Sequence, residues 1–227
     1  MIDSIALITS HAVLAVAWLV YFVLHSVLAS HLMKSWTATH FPRANGYYRL
    51  FYNAAAVVFL LPPLWLSYHL TALPLWHWTG VAHWLADGLA LAAVGGFIWS
   101  LRFYSSQDFL GLNVLRSNVP ARVSTLRISP LHRYVRHPWY ALALVIVWTR
   151  SMDTASLVTA LMVTGYFVVG SYFEENKLVE EYGEAYQSFQ RQVPRLLPWP
   201  GRVLSREVAR EIEESAARQR FPVQRRG

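Results

Sequence analysis

Apolar and polar positions in this chain come in long blocks rather than in alternation. Ile5–Ala29 runs for 25 residues without Asp, Glu, Lys or Arg, long enough for a helix to cross a bilayer core. Leu50–Leu70 repeats the pattern around Pro62–Pro63. Membrane helices tolerate such prolines, with a kink, when neighbours take up the freed carbonyls. Trp84–Leu101 is a third run, with Asp87 near one end and Gly95–Gly96 offering close helix approach. Trp139–Trp148 is apolar but short, and Ala155–Phe173 is longer. The polar stretch Thr149–Thr154 between them predicts a helical hairpin. The pattern predicts an all-α fold, an integral membrane bundle of about five transmembrane helices with a C-terminal helical hairpin.

Composition agrees with that reading. Of 227 residues 55% are hydrophobic and 15% charged, and the mean hydropathy is +0.28; soluble domains are less apolar and carry more charge. Cysteine is absent, which excludes a disulfide scaffold, thiolate metal sites and a cysteine nucleophile. Net charge is +7, but only 3 of the 20 Lys and Arg residues lie in residues 1–101. With the N-terminus outside, Lys34, Arg43 and Arg49, then Arg102, Arg116, Arg122, Arg127, Arg133 and Arg136, then Lys177 and the tail arginines all fall inside. Only Arg150 falls outside, a positive-inside pattern that predicts a cytoplasmic C-terminus. The first run lacks a basic n-region and reads as a retained helix rather than a signal peptide. The expected setting is a multi-pass protein of a bacterial inner membrane, with membrane lipids and not nucleic acid as partner of the basic residues. Three segments follow: transmembrane helices in 1–101, loop and hairpin with the polar clusters in 102–200, and a basic tail in 201–227. In that tail Leu204, Val208 and Ile212 recur at helical spacing, and an interfacial or solvated surface helix is expected.

The densest polar and aromatic clusters flank the hairpin. Leu131-His-Arg-Tyr-Val-Arg-His-Pro-Trp-Tyr140 stands on its entry side and Glu174-Glu-Asn-Lys-Leu178 on its exit side. Tyr182-Gly183, Tyr186 and Val193-Pro-Arg-Leu-Leu-Pro198 follow. A hairpin returns both ends to one face, so an Arg/His-rich rim and a Glu-Glu rim meet above apolar walls. A cationic, partly polar cofactor and a lipophilic or small neutral substrate suit such a place. The same residues also suit a plainer arrangement, with Arg133, Arg136 and His137 reaching lipid headgroups and Glu174 and Glu175 pairing with them.

Taken in order, Arg136-His-Pro-Trp-Tyr140, an apolar hairpin, Glu174-Glu-x-x-Leu178, Tyr182-Gly-x-x-Tyr186 and Val193-Pro-Arg195 resemble the isoprenylcysteine carboxyl methyltransferase family. Leu24-His-Ser26 with Lys34, and Asp108-Phe-Leu-Gly-Leu112, resemble more loosely its bacterial branch of methanethiol S-methyltransferases and NnrU-type proteins. The resemblance implies an integral-membrane enzyme with a cytoplasmic cofactor-binding region for S-adenosylmethionine. It implies that His137, Pro138, Trp139 and Tyr140 line the cofactor pocket, that Glu174 contacts the cofactor, and that Leu126 lies in the segment wrapping it. His132 stands at a contacting position where the family usually has Tyr. Gly170 stands where isoprenylcysteine enzymes carry an Arg for the substrate carboxylate, which points away from that substrate.

Methyl transfer from a sulfonium is an in-line displacement and needs positioning more than acid–base power. Trp139, Tyr140, Tyr166 and Tyr172 offer faces that favour a cation. His137, Arg136 and Glu175 are the candidate catalytic residues. His137 is a helper for thiol deprotonation, an Arg suits the methionyl carboxylate, and a Glu suits ribose hydroxyls or the ammonium. The function expected is methyl transfer from S-adenosylmethionine to a small or lipophilic thiol acceptor. Carboxyl or amine methylation of isoprenylcysteine or lipid, NADPH-dependent reduction of the sterol type, and a non-catalytic NnrU-like role stay open beside it. No G-x-G-x-x-G turn is present. No metal site is expected: His69, His77 and His83 read as interfacial residues among tryptophans. His25 with Ser26 is either functional or a hydrogen bond between helices. Asp108 and Asn113 suit a turn as well as binding.

Overall fold

A computed structural model describes residues 4–103 and 125–220. The motif Asp108–Leu112, with Asn113, Arg116 and Arg122, lies outside the described residues. The helices are α1 (Ser4–Ala29), α2 (His31–His40), α3 (Tyr48–His69), α4 (Gly80–Ser100), α5 (Pro138–Trp148), α6 (Thr154–Gln192) and α7 (Arg206–Arg220). Two short strands, β1 (Pro74–Trp76) and β2 (Met152–Asp153), pair antiparallel. The chain is an all-α membrane protein, as the block pattern predicts. Among the described residues four helices are long and apolar enough to cross a membrane: Ser4–Ala29, Asn45–His69, Gly80–Phe103 and Thr154–Gln192. The fifth apolar segment, α5, has 11 residues, or about 16 Å of helix against a hydrocarbon core of about 30 Å.

The described residues divide into two compact units, 4–88 with 148–164, and 89–103 with 125–147 and 165–220. In the first, Leu14, Trp18 and Phe22 of α1 are buried, as are Ala55 and Pro63 of α3. Helix α3 continues through both prolines. The helices are joined by neutral polar links. Trp18 Nε1 donates to Thr159 Oγ1 at 3.1 Å, Ser67 Oγ meets the same hydroxyl at 2.7 Å, and His11 Nε2 meets Thr154 Oγ1 at 2.8 Å. His25 Nε2 and Tyr52 Oη lie 2.8 Å apart, so His25 does make the bond between helices. Asp153 Oδ1 accepts from the Ser156 N–H at 2.7 Å, satisfying a donor that the first turn of α6 leaves free.

In the second unit α4 and α5 approach closely at Gly96, where an added Cβ would sit 3.4 Å from Leu142. The α5 helix begins with proline at its first position, where the missing N–H costs nothing. Helix α6 is interrupted at Gly183, with φ +50° and ψ −131°, a conformation only glycine enters readily. Beyond that break Tyr182, Ala185, Tyr186, Phe189 and Val193 form a buried stripe against Leu204, Ala209, Ile212 and Ala216. One face of α7 is therefore covered while the other is exposed, and Leu126 and Ile128 pack on the same core. Leu204 and Ile212, two residues of the apolar repeat in the tail, lie in this core beside Ala209 and Ala216, with Val208 partly buried against it.

Candidate active site

Residue 137 caps the start of α5, and its carbonyl accepts from the Ala141 N–H at 3.0 Å. Just before it, the Arg136 N–H donates to Pro194 O at 2.9 Å and the His137 N–H donates to Arg195 O at 3.1 Å. The segment after α6 thus runs as a strap beside residues 136–137. Arg133 and Leu204 extend the pairing: Leu204 N–H donates to Arg133 O at 3.0 Å, and Arg133 Nε returns a bond to Leu204 O at 2.6 Å. A carboxylate oxygen of Glu213 on α7 accepts from the Ile128 N–H.

The side chains of Arg136, His137, Glu174 and Glu175 come together here. Arg136 grips Glu175 in a fork, Nε to Oε1 at 2.8 Å and Nη2 to Oε2 at 3.0 Å, the stronger class of charged hydrogen bond. Its Nη1 donates to the carbonyls of Gln190, at 2.9 Å, and Val193, carbonyls that the end of α6 would otherwise leave unmade. Glu175 is 1% exposed and also receives Gln190 Nε2 at 3.0 Å and Arg195 Nη2 at 3.2 Å. His137 lies between the two acids, Nε2 at 3.0 Å from Glu175 Oε1 and Nδ1 at 3.5 Å from Glu174 Oε2. A ring with both nitrogens on carboxylates donates from both only as imidazolium. Burial opposes that charge, but the hydrogen bonds from Glu174 and Glu175 outweigh it and raise the His137 pKa above the ordinary histidine value. Both ring nitrogens of His137 thus face carboxylates.

Glu174 differs from its neighbour in being 49% exposed. Tyr140 Oη donates to its Oε2 at 3.2 Å. The Tyr140 ring lies flat between His137, 5.3 Å away at 7°, and Phe167, 4.5 Å away at 3°. The side chain of Arg195 is 36% exposed and lies 5.8 Å over the Tyr172 ring. Three cations, counting imidazolium, therefore surround two carboxylates. One acid and one guanidinium reach solvent.

The other expected site residues divide. His132 Nδ1 lies 2.7 Å from Ser129 Oγ, and its pKa is pushed down to about 4, first by burial and then by the charge of His137. Pro138 is buried at the start of α5. Trp139 turns toward α4, donating to Ser100 Oγ at 2.8 Å and packing on Phe97. Leu126 packs with the C-terminal core. Sequence reasoning missed Gln190, Ser100, Phe167 and the carbonyls of residues 190 and 193–195. Gln190 had a legible signal only once the break at Gly183 is known, since the break resets the helical register.

Among known proteins the chain is 31% identical to methanethiol S-methyltransferase 2 of Bradyrhizobium diazoefficiens, over 78% of this chain and 69% of that one. It is 32% identical to methanethiol S-methyltransferase of Pseudomonas deceptionensis over the same shares. For the Crocosphaera subtropica enzyme of that name the figures are 29%, 81% and 72%. No family model and no solved structure matches. With four apolar helices and these relatives, the chain falls in the class of membrane methyltransferases. It belongs to the methanethiol S-methyltransferase family, the bacterial branch its motifs resemble.

Proposed function

We propose that this chain moves a methyl group from S-adenosylmethionine to a small thiol of the methanethiol type. The observation that carries the reading is the half-exposed Glu174 carboxylate beside the stacked rings of His137, Tyr140 and Phe167, in a chain whose relatives are named for that reaction. The residues present fit the donor. Glu174 suits its ammonium or ribose hydroxyls, and the exposed part of Arg195 suits its carboxylate. Aromatic faces suit a sulfonium. When bound, the donor supplies an electrophilic methyl carbon.

Arg136 and Glu175 act by holding, not by touching the reacting atoms. Their bonds run to one another, to His137 and to the end of α6. Glu175 fixes His137, and His137 with Tyr140 fixes Glu174. With both nitrogens on carboxylates, His137 leaves the acceptor's proton to solvent. The acceptor would react as its thiolate, and the rings of His137, Tyr140 and Phe167 would wall the place where it meets the donor. A site that excludes water favours such a step. The cytoplasmic placement of this region rests on the charge pattern.

The test is purified protein in detergent with methyl-labelled S-adenosylmethionine and methanethiol. Labelled dimethyl sulfide in proportion to enzyme is the expected product. Binding of the donor without methylation of any thiol, or binding of NADPH in its place, would refute the assignment.

A further inference from the structure

The strap after α6 carries a surface that the site does not use. From residue 196 to Arg206 the sequence holds two arginines, Arg202 and Arg206, and no acid. Within it Leu197 is 69% exposed and Trp199 67%, and Val203 is exposed as well. Trp199-Pro-Gly-Arg202 closes as a turn, with Gly201 at φ +80° and the Arg202 N–H donating to Trp199 O at 3.1 Å. Proline followed by glycine at positive φ is the type II pattern. The turn fixes Trp199 and Arg202 at its two ends, and α7 begins at Arg206.

Two observations say what covers this surface. The strap is bonded through Pro194 O and Arg195 O to Arg136 and His137, the residues from which the apolar helix α5 departs. It therefore lies at the polar start of an apolar helix, the kind of place that headgroups meet in a membrane protein. Its composition also matches that place: tryptophan favours the interface, and arginines without acids complement anionic headgroups. We propose that residues 196–206 form a bilayer-interface anchor, with Leu197 and Trp199 dipping between lipids and Arg202 and Arg206 binding anionic headgroups. The anchor ties the strap, and through its carbonyls the site residues 136–137, to the membrane surface. The proposal rests on the membrane character of the chain and not on the methyl-transfer reading; it stands or falls without donor binding.

The absence of cysteine makes the test direct. Single variants Leu197→Cys, Trp199→Cys and, as a control on the exposed face of α7, Glu211→Cys are labelled with an environment-sensitive dye. The full-length chain is then reconstituted in phosphatidylcholine vesicles with and without phosphatidylglycerol. Parent-like thermal unfolding in detergent checks each fold. The anchor predicts blue-shifted emission at 197 and 199 but not at 211, quenched by headgroup-level nitroxide lipid, and stronger with phosphatidylglycerol. Arg202→Gln with Arg206→Gln removes most of that anionic increment. Water-like emission at 199, open to aqueous iodide, would overturn the proposal. So would a blue shift that lipid nitroxide does not quench, which would place a second copy or another protein on the strap. An equal shift in pure phosphatidylcholine would overturn the role of the arginines.

Discussion

The two units solve the same problem, joining apolar helices, with different chemistry. In the first, the links are neutral: indole to hydroxyl at Trp18–Thr159, hydroxyl to hydroxyl at Ser67–Thr159, phenol to imidazole at Tyr52–His25. Its ionic contacts, from Asp87 to Arg150 at 3.0 Å and to His83 at 3.4 Å, are half exposed. In the second, a bidentate Arg136–Glu175 pair is buried with His137 and closed by Arg195 and Gln190. Neutral links between helices contribute little each, because helices in lipid find other partners when one is lost. A buried ion cluster is different in kind: it adds modest net stability while intact, yet removing one member strands the rest. The contrast teaches that the first unit is a scaffold tolerant of change. The second holds one geometry, and Glu174 is the part of it left open.

The severest way to break the contrast is Glu175→Ala. It leaves Arg136 and His137 without their carboxylate and is expected to cost about 3–5 kcal/mol, read as a fall in thermal midpoint together with loss of donor binding. Ile212→Ala, in the core shared by α6 and α7, is expected to cost about 2–4 kcal/mol by the same melt. Glu174→Gln is expected to melt like the parent yet weaken donor binding on the order of ten- to hundred-fold, the worth of a hydrogen bond to a charged group.

The acid–base behaviour sharpens the comparison more gently. His132 has a folded pKa of about 4, below its unfolded 6.5. Between those values the unfolded chain binds more protons, so stability is complete above pH 6.5 and falls toward pH 4. His137 is shifted the other way. Its contribution is complete below pH 6.5 and lost as pH rises through its raised folded value. Melting midpoints across pH are expected to show both limbs, with His132→Gln flattening the acid one and His137→Gln the alkaline one. Smallest of all, Thr159→Val in the first unit is expected to cost about 0.6 kcal/mol and to leave donor binding alone.

Much of this was legible in the residues. Block hydropathy marked the long apolar helices but not α2, and the paired motifs around Arg136–Tyr140 and Glu174–Leu178 announced that two rims would meet. Three things were not legible. The shortness of α5, 11 residues, was visible in the sequence, but what the two residues before it bond to, the carbonyls of Pro194 and Arg195, was not. On the buried face of α7 only Ile212 carried a hydropathy signal; Ala209 and Ala216, alanines in a charged helix, carried almost none. The different tasks of two adjacent glutamates follow from the helical turn between them, which points Glu175 into the cluster and leaves Glu174 half exposed. The family resemblance singled out Glu174 for the cofactor, but no pattern in the sequence showed that Glu175 would be the buried partner of Arg136.

Calorimetric titration of S-adenosylmethionine into the parent and into Glu174→Gln, both in detergent and both with their melts recorded, tests the central claim most directly. The account predicts saturable binding to the parent and a large loss of affinity in a variant that melts as the parent does. Equal affinity in the two proteins would contradict the placement of the donor at Glu174, and a well-folded parent that binds no donor would contradict the proposed chemistry.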